Sequence, residues 1–170
     1  MKTLLSLLLL LPLTSFASLE ELIGTELVDA KGDKVETSSL EGKVIGLYFS
    51  ASWCGPCKMF TPDLVKLRDR NDDKFEVVFV SSDRSAEDQQ EYMKDYDMEW
   101  PAIPYDSPLR QQLGGKYEVR GIPSLVIIDD QGNLITKDGR SEMGDSDTDA
   151  RKALREWRRS AGKDDGQEED

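Results

Sequence analysis

Apolar residues fall in short blocks along this chain, with polar, turn-forming stretches between them. Val44-Ile45-Gly46-Leu47-Tyr48-Phe49 is one apolar run, and Phe75-Glu76-Val77-Val78-Phe79-Val80 is another. Runs of this length suit strands buried on both faces. Between them a helical pattern begins near Cys54, with Met59, Phe60, Leu64, Val65 and Leu67 assigned to one face. Pro62 interrupts that pattern and predicts a kink. Upstream, Leu27-Val28, Lys31-Gly32-Asp33 and Val35 predict a small hairpin within residues 19–43.

Downstream, Ser85-Ala86-Glu87-Asp88 resembles a capping box and opens a helix to about Tyr96. Trp100-Pro101-Ala102-Ile103-Pro104-Tyr105 holds two prolines and predicts an extended loop. Residues 109–117 predict a short helix. Ser124-Leu125-Val126-Ile127-Ile128 predicts a third strand, Asp130-Gln131-Gly132-Asn133 a hairpin turn, and Leu134-Ile135-Thr136 a fourth strand. An amphipathic helix closes the pattern over residues 147–159, with Trp157 as its core anchor. Strand–helix–strand order implies right-handed parallel crossovers, and the late hairpin adds an antiparallel edge. The expectation is an α/β fold: a mixed central sheet with helices on both faces and a short N-terminal hairpin.

The 170 residues fit one domain with a real core. The first seventeen do not belong to it. Lys2 precedes an apolar stretch over residues 4–13, far short of the roughly 20 residues that cross a bilayer. Ser15-Phe16-Ala17 then supplies small residues at the positions a signal peptidase reads. The expectation is a signal peptide over residues 1–17, a domain over 18–160 and an acidic, disordered tail over 161–170. The protein would be exported, periplasmic or secreted, without stable membrane insertion. Net charge is −12; losing the one positive charge of Lys2 leaves −13. That balance repels nucleic acid and favours solubility.

Histidine is absent, which excludes imidazole catalysis and His metal ligation. The only two cysteines are Cys54 and Cys57. They cannot complete a four-ligand zinc site within one chain, so no metal or other cofactor is expected. A disulfide closing so small a loop stabilises little in the loop-entropy account, which leaves the pair free for chemistry. Trp53-Cys54-Gly55-Pro56-Cys57-Lys58 falls where a buried strand hands over to a helix. Unpaired N–H groups and the macrodipole at a helix N-terminus favour a thiolate on Cys54. Pro56 suits that start because its missing N–H would go unpaired there. Cys54 is thus the candidate attacking sulfur and Cys57 the resolving one. The proton for a departing thiol must come from Cys57, a carboxylic acid, Tyr48 or water.

From about residue 27 to 140 the chain resembles the thioredoxin superfamily, whose signature is Trp-Cys-Gly-Pro-Cys-Lys. In finer detail it resembles the tryparedoxin and nucleoredoxin branch. The supporting segments are Tyr48-Phe49-Ser50-Ala51-Ser52-Trp53-Cys54, Phe60-Thr61-Pro62, Phe75 to Asp83, Trp100-Pro101-Ala102-Ile103-Pro104-Tyr105, and Gly121-Ile122-Pro123-Ser124-Leu125. The exported thioredoxin-like reductases of bacterial envelopes are the next nearest group. The resemblance implies a thioredoxin fold with a cis peptide bond before Pro123, facing the sulfurs. It also implies that the Ile122 backbone pairs with an extended substrate segment, and that Trp53 shields the site or simply packs the strand end.

Two departures matter. Thioredoxin carries a buried acid where this chain has Tyr48, which is either a hydrogen-bond donor near the sulfurs or core filling. Tryparedoxins carry Pro-Pro between their cysteines, and Gly55-Pro56 does not match them. Around this centre, Asp83 and Arg84 steer substrate or form a solvated turn, with the turn favoured. Arg140 flanks the docking surface or lies on plain surface. Trp100 and Tyr105 frame the cleft or pack the loop.

The function expected is a monomeric thiol–disulfide oxidoreductase that reduces protein disulfides, or a peroxidase partner, and is reset by an external dithiol donor. The alternatives are a disulfide oxidase or isomerase, and a non-catalytic binding module of the same fold.

Overall fold

In the computed structural model, which describes residues 18–163, the described residues open on a capped turn of helix. Ser18 accepts the Glu21 N–H, and the Glu21 carboxylate accepts the Ser18 N–H, at 3.2 Å each. This box opens α1 (Leu19–Ile23) and turns Leu19, Leu22 and Ile23 inward. The hairpin β1 (Glu26–Val28) and β2 (Lys34–Glu36) follows as expected, then a 3-10 helix (Thr37–Leu40).

The remaining elements are β3 (Val44–Ser50), α2 (Gly55–Asp69), β4 (Phe75–Ser81), α3 (Ala86–Asp95), α4 (Leu109–Lys116), β5 (Ser124–Ile128), β6 (Leu134–Thr136), α5 (Gly139–Glu142) and α6 (Asp147–Ser160). The sheet order is β4-β3-β5-β6. β3 and β4 are parallel, from Val44 opposite Phe75 to Ser50 opposite Ser81. β5 runs antiparallel to β3, and β6 antiparallel to β5. The expected mixed sheet is present.

Period-two alternation sorts the strands between two cores. Val44, Tyr48, Phe75, Val77, Phe79, Leu125 and Ile127 pack with α2, α3 and α6. Ile45, Leu47, Phe49, Val78, Val80, Val126 and Ile128 pack with α1 and α4. Helices therefore cover both faces. At Gly46 a Cβ would fall 2.9 Å from Leu125 Cδ1 and 3.1 Å from Phe75 Cζ, so the missing side chain is what lets those two close over β3. Trp157 anchors α6 in the core, and its Nε1 donates to Glu142 at 2.6 Å.

The structure corrects the sequence reading at one point and adds to it at others. Met59 is 75 % exposed rather than on the buried face of α2. That face is Cys57, Thr61, Leu64 and Leu67, the 4-3-3 spacing of one helical stripe. Met59, two residues from Cys57, points about 200° away from it. Pro62, where a kink was expected, lies inside this helix, which runs as one element. Finally, the segment at 100–105 is extended, as expected, but it does more than connect. Ala102 exchanges backbone hydrogen bonds with Val28 at 2.9 and 2.7 Å, while Pro101 and Ile103 bond Phe79 at 2.9 Å each. One residue thereby joins the hairpin to the edge of the main sheet.

Residues 161–163 lie against the body, where Lys163 Nζ pairs with Asp130 at 2.8 Å. The expected signal peptide over 1–17 and the rest of the expected tail, 164–170, lie outside the described residues. Among the described residues no helix is long and apolar enough to cross a membrane.

Candidate active site

Trp53, Cys54, Gly55, Pro56, Cys57, Ile122 and Pro123 gather where β3 and β4 end and β5 begins. β3 stops at Ser50, and Cys54 N–H bonds back to Ala51 O at 3.1 Å to form a tight turn. Cys54 is the N-cap of α2, with extended backbone angles, and Gly55 and Pro56 occupy the first two helical positions. Lys58 N–H closes the first helical bond on Cys54 O at 3.1 Å. Proline at this point sacrifices no intrahelical bond. The two cysteines form a disulfide with Cα atoms 5.2 Å apart.

The sulfurs differ in access and in partners. Cys57 is fully buried, whereas Cys54 keeps 6 % of its surface exposed. The backbone N–H of Cys57 points at Cys54 Sγ, 3.2 Å away. An N-cap oxygen ordinarily takes this bond; here a sulfur does. In the dithiol form the same N–H, with the helix dipole behind it, stabilises negative charge on Cys54.

Across the sulfurs, Cys54 Sγ lies 3.8 Å from the carbonyl oxygen of Ile122. The Ile122–Pro123 peptide bond is cis, as the resemblance implied. Trp53 is 54 % exposed, and its Nε1 donates to Ser82 O at 3.2 Å. The ring is thus exposed and pinned to the residue that follows β4. Beyond Pro123 a cavity of about 470 Å³ is lined by Phe60, Pro123, Lys137 and Arg140 among others. The Arg140 guanidinium lies 5.9 Å from the centre of the Phe60 ring. Arg140 therefore flanks the site.

Asp83 departs from the solvated turn that was favoured for it. It is buried, with Oδ1 accepting the Ser52 N–H at 2.7 Å and Oδ2 accepting the Ser81 hydroxyl at 2.7 Å. Its carboxylate ties the turn that carries Trp53 and Cys54 to the end of β4. Trp100 is fully packed in the core. Tyr105 lies nearer the site, with its hydroxyl 3.5 Å from Asp83 O and the Arg110 guanidinium 4.1 Å from its ring centre.

Tyr48 addresses no sulfur. Its hydroxyl lies 2.9 Å from Thr61 Oγ1 and 3.4 Å from Cys57 O. Burial, and after it the neighbouring Tyr92, pushes the phenol well above its ordinary range, so it keeps its hydrogen. Sequence reasoning overlooked Thr61 and Tyr92, which join Tyr48 behind Cys57. The available signal was spacing: Thr61 is four residues after Cys57 and shares its helical face.

Comparison with known proteins agrees with this geometry. The family model described as thioredoxin-like matches residues 42–134. A probable nucleoredoxin 1 of Arabidopsis thaliana is 47% identical over 116 residues, which is 66% of this chain and 20% of that protein. The chain spans between a fifth and a third of the length of the curated nucleoredoxins it matches. Among solved structures, a thioredoxin from Wuchereria bancrofti superposes with a TM-score of 0.68 at 40% identity, covering 78% of this chain and 94% of that one. Tryparedoxin II from C. fasciculata superposes with a TM-score of 0.68 at 35% identity, covering 75% and 87%.

Proposed function

The chain belongs to the thioredoxin-like family, and from that premise we propose that it is an exported thiol–disulfide oxidoreductase that reduces protein disulfides. The observation that carries this reading is the sulfur of Cys54 at the cap of α2, facing the Cys57 N–H at 3.2 Å, above a fully buried Cys57. One sulfur is placed to attack and the other to resolve.

In the reducing direction the Cys54 thiolate attacks a substrate disulfide. A mixed disulfide forms and one substrate thiolate leaves, taking a proton from solvent. Cys57 then gives up its proton and attacks Cys54 Sγ. The second substrate thiolate leaves, and the Cys54–Cys57 disulfide closes. Two electrons have passed to the substrate, and an external dithiol returns the pair to its reduced form. Tyr48 is no proton source in this cycle, because its hydroxyl meets Thr61 and a carbonyl oxygen. The substrate segment beside its disulfide would lie along Ile122, between Trp53 and the Arg140 side of the cavity, and pair with the exposed backbone there. A disulfide-bearing peroxidase is a partner of the same chemistry.

The direction follows from what surrounds Cys54. A strong oxidant needs its thiolate specially stabilised. Gly55 and Pro56 bring neither charge nor imidazole, so the cap N–H and the helix dipole act without them. Export rests on the sequence of residues 1–17: Lys2, an apolar stretch over residues 4–13 and small residues at Ser15 and Ala17. Mass spectrometry of the mature protein should find Ser18 at its N-terminus.

Trapping tests the whole reading. Cys57→Ser should leave Cys54 joined to its substrate as a dithiothreitol-sensitive adduct, and Cys54→Ser should capture nothing. Equal capture by both variants would sink the assignment of attacking and resolving sulfurs. A couple near −120 mV, the strong-oxidant end of the scale, would replace reductase by oxidase.

A further inference from the structure

Four buried hydroxyl side chains meet behind the disulfide. Thr61 Oγ1 lies 2.8 Å from Cys57 O, 2.9 Å from the Tyr48 hydroxyl and 2.8 Å from the Tyr92 hydroxyl. Ser50 Oγ lies 3.2 Å from the Tyr92 hydroxyl. All four residues are buried. A carbonyl oxygen has no hydrogen to give, so Thr61 must donate its only one to Cys57 O. Tyr92 then donates to Thr61, and so does Tyr48, whose contact to Thr61 at 2.9 Å is shorter than its 3.4 Å to Cys57 O; the Thr61 oxygen has two lone pairs to accept them. Tyr92 is left free to accept from Ser50. With this one orientation every hydroxyl in the cluster is satisfied, and all the hydrogens run toward the carbonyl of Cys57. The raised Tyr48 phenol, which keeps its hydrogen, fits that direction.

The location of the cluster gives it a use. Pro62 has no N–H, so the carbonyl of Lys58 loses its partner four residues on. The backbone ladder of α2 is therefore interrupted immediately after Cys57. The Cys57 N–H is already directed at Cys54 Sγ. Of the polar backbone groups that place Cys57, its carbonyl is the one tied by side chains to the body of the protein.

We propose that Thr61, held by Tyr48 and Tyr92, is a positioning residue that keeps Cys57 at bonding distance from Cys54 and so favours the disulfide over the dithiol. The inference rests on the dithiol–disulfide reading of the pair. Its physical content is effective concentration: a sulfur held in place closes a ring more readily than one free to wander.

The test is equilibration of the Cys54–Cys57 pair against dithiothreitol buffers, with thermal unfolding of the oxidised and reduced forms. Thr61→Val keeps the volume and removes the hydroxyl. It should move the equilibrium about tenfold toward the dithiol, about 30 mV at 29.6 mV per decade. Thr61→Ser should stay within twofold of wild type. Tyr92→Phe, which leaves Thr61 bonded but less constrained, should move it about threefold in the same direction. A residue that only filled the core would lower both melting temperatures alike and leave the equilibrium in place. Thr61→Val at the wild-type constant within twofold overturns the proposal, and so does Tyr92→Phe at that constant should Thr61→Val fail to fold. If the wild-type pair does not equilibrate with dithiothreitol at all, the dithiol reading falls and takes the inference with it.

Discussion

Where β3 and β4 begin, polar groups are held by full charges. Glu76 accepts from Arg68 Nε at 2.8 Å and Nη2 at 3.1 Å, with Lys43 Nζ 3.5 Å away. Asp130 takes Lys163 Nζ at 2.8 Å and the Gly42 N–H at 2.7 Å. Where the same strands end, the buried acid is Asp83, which accepts from an N–H and a hydroxyl. The disulfide there is set by a helix cap, a cis-proline loop and a cluster of hydroxyls. One end of the sheet uses ion pairs to hold the chain together. The other places a sulfur with a helix cap and hydroxyls, and its buried carboxylate, Asp83, meets an N–H and a hydroxyl. Such a site takes its field at Cys54 from fixed backbone geometry, which salt screens little.

The largest effect that separates the two ends is expected at Glu76. Burial works against the Arg68 guanidinium, but the hydrogen bond and charge of Glu76 outweigh it and the net shift is upward. Among the described residues, Glu76→Ala leaves that cation with Asp69, at 3.2 Å. Breaking a buried pair from one side costs about 3 kcal/mol, to be read from urea unfolding. The Cys54–Cys57 equilibrium constant should stay within twofold of wild type. A large shift in that constant would show that the two ends are coupled and do not divide the labour between them.

The same contrast explains what was legible before the structure. The six strands and the four longer helices were written in apolar period, because burial on one or both faces is what the period records. The short α1 and α5 were missed, since four or five residues carry too little pattern. α1 had announced itself only by its Ser18–Glu21 capping box. Met59 was put on the wrong face because apolar residues were counted without fixing the helix phase. Starting the phase at Cys57 places Thr61, Leu64 and Leu67 inward and Met59 outward. The motif told which sulfurs react, but the means of holding them was hidden. Thr61, Tyr92 and Asp83 are polar residues in buried positions, and sequence alone does not show which polar residues lie inside.

Asp83 comes next in size and tests the other end. Asp83→Ala strips the Ser52 N–H of its acceptor, at a cost of about 2 kcal/mol for a buried donor left unpaired. The turn that carries Trp53 and Cys54 loses its tie to β4 with it. Turnover with a disulfide-bonded protein substrate should fall about tenfold, the scale of a small misplacement of reacting groups. Asp83→Asn keeps an oxygen for Ser52 and should hold most of both stability and rate. If the alanine variant reduces substrate as fast as wild type, Asp83 supports the fold without placing the sulfur.

The smallest effect lies at Lys163 and turns on pH. Burial would raise the Asp130 carboxyl, but the Lys163 ammonium and the Gly42 N–H more than offset it, so the group ends below its ordinary range. A carboxyl lower in the folded chain than in the unfolded one stabilises the fold above the unfolded pKa of about 3.9. That contribution drains away as pH falls through the lower, folded value. Lys163→Met should therefore cost no more than about 1 kcal/mol at neutral pH, the range of a partly exposed pair. The gap between wild type and variant should hold from pH 7 to pH 5 and close toward pH 3, as Asp130 takes up its proton. Urea unfolding of both proteins at these pH values measures it. A gap that is the same at pH 3 as at pH 7 would mean that Lys163 acts through its aliphatic stem rather than its charge, and this end of the sheet would then owe less to ion pairing than its geometry suggests.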